Sequence, residues 1–258
     1  MGVKELPVPG AIFGVRVHDL PSEQRIRRAC ERFLDGGRTY RIFTPNPEIL
    51  LRARDDRSYA DVLNSADLAL PDGTGVALIG SLRTGRRVRR WPGIEVAAML
   101  LSLAVERDAI VVLLGGAHDV TERAAARWRA SLQGLRVEVV GAGTPIGNDG
   151  LATDPDREIA LVEELRAVSP AIVLVGLGAP KQERWIDRHA EDLPDARILM
   201  GVGGAFDMWA GTLRRAPRWL RRVGLEWAWR LALEPRRIPR ALRATLVFPL
   251  RALTDRAA

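Results

Sequence analysis

The residue order predicts an α/β protein, with a mainly parallel sheet covered by helices on both faces and a short, basic, helical C-terminal appendage. Three observations carry this. Apolar, β-branched segments alternate with helical patterns from end to end, which is the signature of βαβ units. The clearest of them, Ala171-Ile172-Val173-Leu174-Val175, is apolar throughout rather than alternating, as a strand buried on both faces must be. From Trp209 the composition changes to tryptophan and arginine, cut into short pieces by Pro217, Pro235 and Pro239. A core over residues 1–208 and an appendage over 209–258 are therefore expected.

Taken in order, a first strand is expected at Ala11 to Val17 and a helix from about Ser22 to Leu34. Tyr40-Arg41-Ile42-Phe43 reads as the next strand and runs into Thr44-Pro45-Asn46-Pro47-Glu48, after which a helical pattern resumes. The two prolines forbid helix around Asn46 and fix the backbone there. Ala66-Asp67-Leu68-Ala69-Leu70 stops at Pro71 and presents Asp72 between small residues, so Asp72 falls at a strand's carboxyl end. A helix start at Gly73 to Leu82, a basic loop at Arg83 to Arg90 and an apolar helix through about Val105 follow. Ala109 to Leu114 is a strand ending in Gly115-Gly116, helix Val120 to Leu132 comes next, and Arg136 to Val140 is a strand. The glycine-rich stretch Gly141 to Asp154 reads as an exposed loop able to act as a lid. Asp154 and Pro155 read as the cap and first position of a helix to about Val168. Ile198-Leu199-Met200 opens into Gly201-Val202-Gly203-Gly204-Ala205-Phe206-Asp207, repeating the strand-to-glycine arrangement seen after Val175.

Composition bounds the function. With 258 residues, 47% hydrophobic and 28% charged, the chain resembles an ordinary globular protein, and no apolar run is long enough to span a membrane. The start lacks the apolar core of a secretory signal, so a cytoplasmic location is expected. The single cysteine, Cys30, excludes an internal disulfide and reads as a small core residue. His18, His118 and His189 carry no metal-ligand spacing. The net charge of +7 is concentrated in the tail, where twelve arginines after residue 213 face only Glu226, Glu234 and Asp255. Such a tail seeks anionic lipid headgroups, a diphosphate or nucleic acid, and no nucleic-acid-binding motif accompanies it. Tryptophan interleaved with arginine suits a membrane interface, while the competing reading has the tryptophans pack the tail onto the core.

Candidate site residues gather at strand ends, where open α/β sheets place ligands. Asp72, Thr44 and Asn46 belong there, although each could instead cap a helix. The turn Gly176-Leu177-Gly178-Ala179-Pro180-Lys181-Gln182-Glu183 offers free N–H groups around Gly178 to an anion, and Gln182 and Glu183 can hydrogen-bond sugar hydroxyls or a base. It is not a dinucleotide fingerprint, because the third glycine is missing and the strand comes late, and the first strand runs into His18-Asp19-Leu20-Pro21 instead. This argues against a nicotinamide-dependent oxidoreductase.

These motifs, with Arg90-Trp91-Pro92-Gly93-Ile94-Glu95, Arg215-Ala216-Pro217, Gly224-Leu225-Glu226-Trp227 and Glu234-Pro235-Arg236-Arg237, run in order along the chain, and the set resembles the WecG/TagA/CpsF bacterial glycosyltransferases. The resemblance implies a Rossmann-like core and a C-terminal appendage docked on the inner face of the cell membrane. It implies transfer of an N-acetylmannosamine-type sugar, with inversion, from a UDP-sugar donor to a polyprenyl-diphosphate-linked (undecaprenyl-type) N-acetylglucosamine, in teichoic acid or other cell-surface polysaccharide synthesis. In that family the residue matching Asp72 is the catalytic base. Those matching Thr44 and Asn46 lie beside it, the one matching Gln182 lies in the nucleotide-sugar pocket, and arginines of the segment holding Arg215, Arg218, Arg221 and Arg222 complete the site. Arg90 is retained, but Glu95 stands where the motif commonly has aspartate. No Asp-x-Asp motif stands out as a metal site, so metal-independent transfer is expected, with arginine steadying the leaving UDP. A homo-oligomer is among the assemblies the sequence allows. The competing reading is a nucleotide-binding, membrane-docked regulator that would not need Asp72.

Overall fold

The computed structural model describes residues 11–217, 219–220, 224–233 and 238–255. Its centre is a six-stranded, wholly parallel sheet with strand order β4-β3-β8-β7-β5-β6. The strands are β3 (Tyr40–Phe43), β4 (Leu68–Ala69), β5 (Ile110–Leu114), β6 (Arg136–Val140), β7 (Ile172–Val175) and β8 (Ile198–Gly201). Side chains alternate across it: Val173 and Val175 enter one apolar layer, Ile172 and Leu174 the other. Both layers are closed, so β7 is buried at every position, which is why its sequence carries no polar alternation.

One face is covered by α2 (Pro47–Asp55), α3 (Arg57–Asn64), α4 (Thr74–Thr84), α7 (Pro155–Val168) and α8 (Lys181–His189). The other is covered by α1 (Glu23–Leu34), α5 (Gly93–Glu106), α6 (His118–Ser131) and α9 (Ala205–Ala210). The helix starts are written locally. Ser22 accepts from Arg25 N at 3.4 Å, Asp154 accepts from Asp156 N at 3.1 Å ahead of Pro155, and Asp56 ends α2 and caps α3.

Three sequence expectations change. The stretch Ala11 to Val17 is not a sheet strand but a hairpin of β1 (Ala11–Ile12) and β2 (Val15–Arg16), because Phe13 and Gly14 take φ of 53° and 76° and turn the chain back. The loop after β6 is not a lid over the cavity described below. Lys181 Nζ donates to Ile146 O at 2.6 Å and Arg184 Nη1 to Asn148 O at 2.9 Å, tying it to the outer side of α8. The third concerns Asp154-Pro155-Asp156, which has the Asp-x-Asp spacing after all but serves as the exposed start of α7.

Of the lone cysteine and the histidines, Cys30 is buried in the core, where burial pushes its thiol up to about 12. His18 accepts from Ala69 N at 2.9 Å, and burial lowers its pKa. His189 lies between Glu158 and Asp192, at 2.9 and 2.8 Å. The tail returns to the core: helix Phe248–Thr254 follows a π-helical turn at Arg243–Val247. Its Phe248 is fully buried, edge-on to Phe13 at 5.9 Å. Asp255 accepts from Phe13 N at 3.2 Å and pairs with Arg83.

Candidate active site

Four strand ends open on one cavity of about 460 Å³, lined by residues after β3, β4, β7 and β8 and by the tail. This is the carboxyl edge of the sheet, where diverging loops leave room for a ligand. Asp72 is set there by the backbone: β3 pairs β4 through Phe43 and Ala69, Leu70 N donates to Phe43 O at 2.9 Å, and Asp72 N donates to Pro45 O at 3.0 Å. The Trp91 N–H bonds to Pro71 O at 2.8 Å and brings the Arg90 segment alongside.

Asp72 is partly buried and faces the cavity. Burial pushes its pKa up, from an ordinary 3.8 to about 6; the Arg90 guanidinium pulls it down, Glu226 pushes it up, and the Gly93 and Gly73 N–H groups pull it down. A carboxylate of this kind holds a proton at pH values where ordinary acids have lost theirs, which is the tuning a general base requires. Thr44 and Gly93 are packed so closely that a Cβ on Gly93 would lie 2.7 Å from Thr44 Oγ1, so the glycine lets α5 begin against the threonine. Asn46 does two things: its Oδ1 caps α2, accepting from Glu48 N at 2.9 Å and Ile49 N at 3.0 Å, and the residue also lines the cavity.

Charge is arranged around Asp72 by three chain segments. Arg90 and Glu226 pair at 3.8 Å, Glu226 also meets Arg215 Nε at 3.5 Å, and Arg215 Nη2 reaches Glu95 Oε1 at 2.6 Å. Arg90 and Glu226 thus act on the raised Asp72 directly, while Arg215 does not line the cavity and is linked to it through Glu226. Guanidinium groups so placed match phosphate oxygens in charge and in fork geometry. In the sequence Glu226 stands out as part of a motif and as one of only three acids among the tail's twelve arginines, and neither places it at the site.

Gln182 lines the cavity at the first turn of α8. Glu183 and Gly178 do not. Glu183 is 1% exposed, its carboxylate accepting from Tyr59 Oη at 2.9 Å and Gln182 Nε2 at 2.7 Å, while Gly178 turns its N–H toward Gln182 Oε1 at 3.2 Å. Both sequence-chosen residues thus hold Gln182 without lining the cavity themselves. Arg218, Arg221 and Arg222 lie outside the described residues, as does Glu234-Pro235-Arg236-Arg237. From the tail, Gly224, Glu226, Trp227, Leu231, Ala241, Ala244, Thr245 and Pro249 close the remaining side. Among the described residues no group of three His, Cys, Asp or Glu side chains is placed to hold a metal ion.

Comparison with known proteins gives a consistent result. The sequence model of the glycosyl transferase WecG/TagA/CpsF family matches residues 11–258. An N-acetylglucosaminyldiphosphoundecaprenol N-acetyl-beta-D-mannosaminyltransferase of Bacillus subtilis (strain 168) is 34% identical over 201 residues, covering 78% of this chain and 74% of its own. The protein of the same name from Staphylococcus aureus (strain NCTC 8325 / PS 47) is 32% identical over 207 residues, covering 80% of this chain and 77% of its own.

Proposed function

The chain belongs to the WecG/TagA/CpsF family of glycosyltransferases, and on that premise we propose that it transfers an N-acetylmannosaminyl group from a UDP-sugar to the N-acetylglucosamine of an undecaprenyl-diphosphate-linked acceptor, with inversion and with Asp72 as base. The observation that carries this reading is Asp72 itself, a cavity-facing carboxylate with its pKa raised to about 6 and with Arg90 beside it.

In the proposed step an acceptor hydroxyl attacks the anomeric carbon of the donor. Its proton passes to Asp72, the new glycosidic C–O bond forms, and the bond from the anomeric carbon to the β-phosphate oxygen breaks. UDP departs with the electron pair, and Arg90 and Arg215 offset the charge it gains. Gln182 contributes a hydrogen bond to the donor. Thr44 and Asn46 border the place where the acceptor hydroxyl must stand.

The tail's part in this proposal is to complete the site at a membrane surface. Among the described residues no helix is long and apolar enough to cross a bilayer, yet apolar side chains crowd the outside of the tail, with Trp219, Leu250 and Leu253 64%, 67% and 63% exposed. Leu78 both lines the cavity and is exposed, and Leu246 and Leu250 directly follow the lining residues Thr245 and Pro249. A lipid-linked acceptor could thereby reach the cavity while its polyprenyl chain stays in the bilayer. Arginines of the tail add attraction to anionic headgroups.

The test is incubation of the purified protein with UDP-N-acetylmannosamine and a lipid-diphosphate-linked N-acetylglucosamine, following UDP release and the disaccharide product, with EDTA in a parallel reaction. Product in both reactions supports the reading with arginine as the charge-stabilising group. Binding of UDP-sugar without product supports the regulator alternative and overturns it.

A further inference from the structure

Gln182 is 4% exposed, and its carboxamide is engaged at both ends. Its Oε1 accepts two backbone N–H bonds, from Gly203 at 2.9 Å and Gly178 at 3.2 Å, which use both lone pairs. Its Nε2 donates one hydrogen to Glu183 Oε1 at 2.7 Å, and the other Glu183 oxygen accepts from Tyr59 at 2.9 Å. The second Nε2 hydrogen has no acceptor among the described residues, and the side chain borders the cavity.

Three glycines make room for this. Gly178 and Gly203 take φ of +74° and +53°, as the turns that aim their N–H groups require, and a Cβ on Gly201 would lie 2.8 Å from Nε2. A flipped carboxamide would set its NH₂ against two N–H donors and its oxygen against a carboxylate. The orientation is therefore dictated by the surroundings rather than chosen.

We propose that Glu183 is a positioning residue. Held by Tyr59, it ties down one Nε2 hydrogen so that Gln182 presents to the cavity a single N–H donor and no acceptor, and it thereby selects a substrate oxygen at that point. This rests on the glycosyltransferase reading and deepens it: the atom of the nucleotide sugar that meets Gln182 is a hydrogen-bond acceptor, a carbonyl, hydroxyl or phosphate oxygen. Glu183 touches no substrate and acts through Gln182.

The chain contains three glutamines, Gln24, Gln133 and Gln182, so protein labelled with ¹⁵N in the glutamine side chains gives three NH₂ pairs, and Gln182→Ala assigns the pair that matters. In the wild type the two Gln182 protons are expected to differ, one exchanging slowly with solvent and the other shifting when UDP is added. Glu183→Leu, which removes the acceptor and adds no carboxamide, is expected to abolish the slow exchange and to raise KM for the nucleotide sugar about tenfold, the size of one hydrogen bond, with kcat changing less. In a Gln182→Ala background the same substitution is expected to have no further kinetic effect, whereas a merely structural role would cost the same factor in both backgrounds. If Glu183→Leu does not fold, Tyr59→Phe reads the same network and is expected to speed exchange of the protected proton. Equal exchange of the two Gln182 protons in the wild type, or additive kinetics, overturns the proposal. The exchange arm needs no turnover, so a wild type that folds but transfers no sugar refutes the functional reading and leaves this one decided by resonance.

Discussion

Replacing Asp72 by asparagine is expected to stabilise the protein and abolish its turnover. The carboxyl titrates near 3.8 in an unfolded chain and at about 6 in the fold, so the unfolded chain releases its proton first. As pH rises from about 4 to about 6 the folded state is therefore progressively penalised, and above about 6 the penalty is constant. Two pH units correspond to about 3 kcal/mol. Because the carboxylate is only partly buried and faces an open cavity, solvent screening reduces this to about 1–3 kcal/mol. For a chain of this length that is a rise in Tm of about 2–6 °C. Asparagine keeps an oxygen for the Gly73 and Gly93 N–H groups and removes the charge, so the gain should appear at pH 7.5 and vanish near pH 4. The same variant loses the base, worth about 10²–10⁴ in rate, and in the wild type kcat/KM is expected to fall as pH drops through about 6. Calorimetry at both pH values and UDP-release kinetics check this. A Tm gain equal at pH 4 and 7.5, no gain at pH 7.5, or near-normal turnover by Asp72→Asn would refute the reasoning.

Phe248→Ala removes a fully buried ring edge-on to Phe13 and against Gly75, and urea unfolding is expected to show a loss of about 3–5 kcal/mol. Gly224→Ala places a Cβ 2.6 Å from Thr74 Oγ1 at a residue with φ of +77°. It should lower kcat/KM at least several-fold while circular dichroism shows the core helices and strands intact. Leu250→Glu with Leu253→Glu, both well exposed, is expected to weaken co-sedimentation with anionic vesicles and leave the melting temperature within about 2 °C, as exposed substitutions do. Unchanged vesicle binding would remove the membrane role proposed for the tail.

The sheet was legible because burial on both faces leaves no freedom in strand composition: β7 and β8 are buried at every position and carry no polar side chain. Helix starts were legible for a local reason, since Ser22 and Asp154 satisfy N–H groups within two or three residues. What failed was non-local or needed an uncommon backbone. Nothing in Ala11 to Val17 announces that Phe13 takes a positive φ. Helix Phe248–Thr254 packs on the core because Phe248 fits against Phe13 and Gly75, partners far away in sequence. The loop after Val140 read as an open loop by composition, and its composition gives no sign of the bonds from Gly143 to Gly116, from Lys181 and from Arg184 that hold it.

At the site, sequence order named the residues but not which of them face the cavity. A motif such as Gly178-Ala179-Pro180-Lys181-Gln182-Glu183 mixes a side chain that lines the cavity, Gln182, with two groups that hold it, Gly178 and Glu183. One sequence signature covers both, since loss of the holder and loss of the held cost the same interaction. The second glycine motif follows the same logic, Gly203 giving an N–H to Gln182 and Gly201 giving it space. Glu226 shows the opposite case. It is attached to the tail, yet its carboxylate bridges Arg90 and Arg215 and raises the pKa of Asp72. The ionisation of a residue at the sheet edge is therefore set in part by a helix more than a hundred residues later, and no window of sequence around Asp72 could have contained that information.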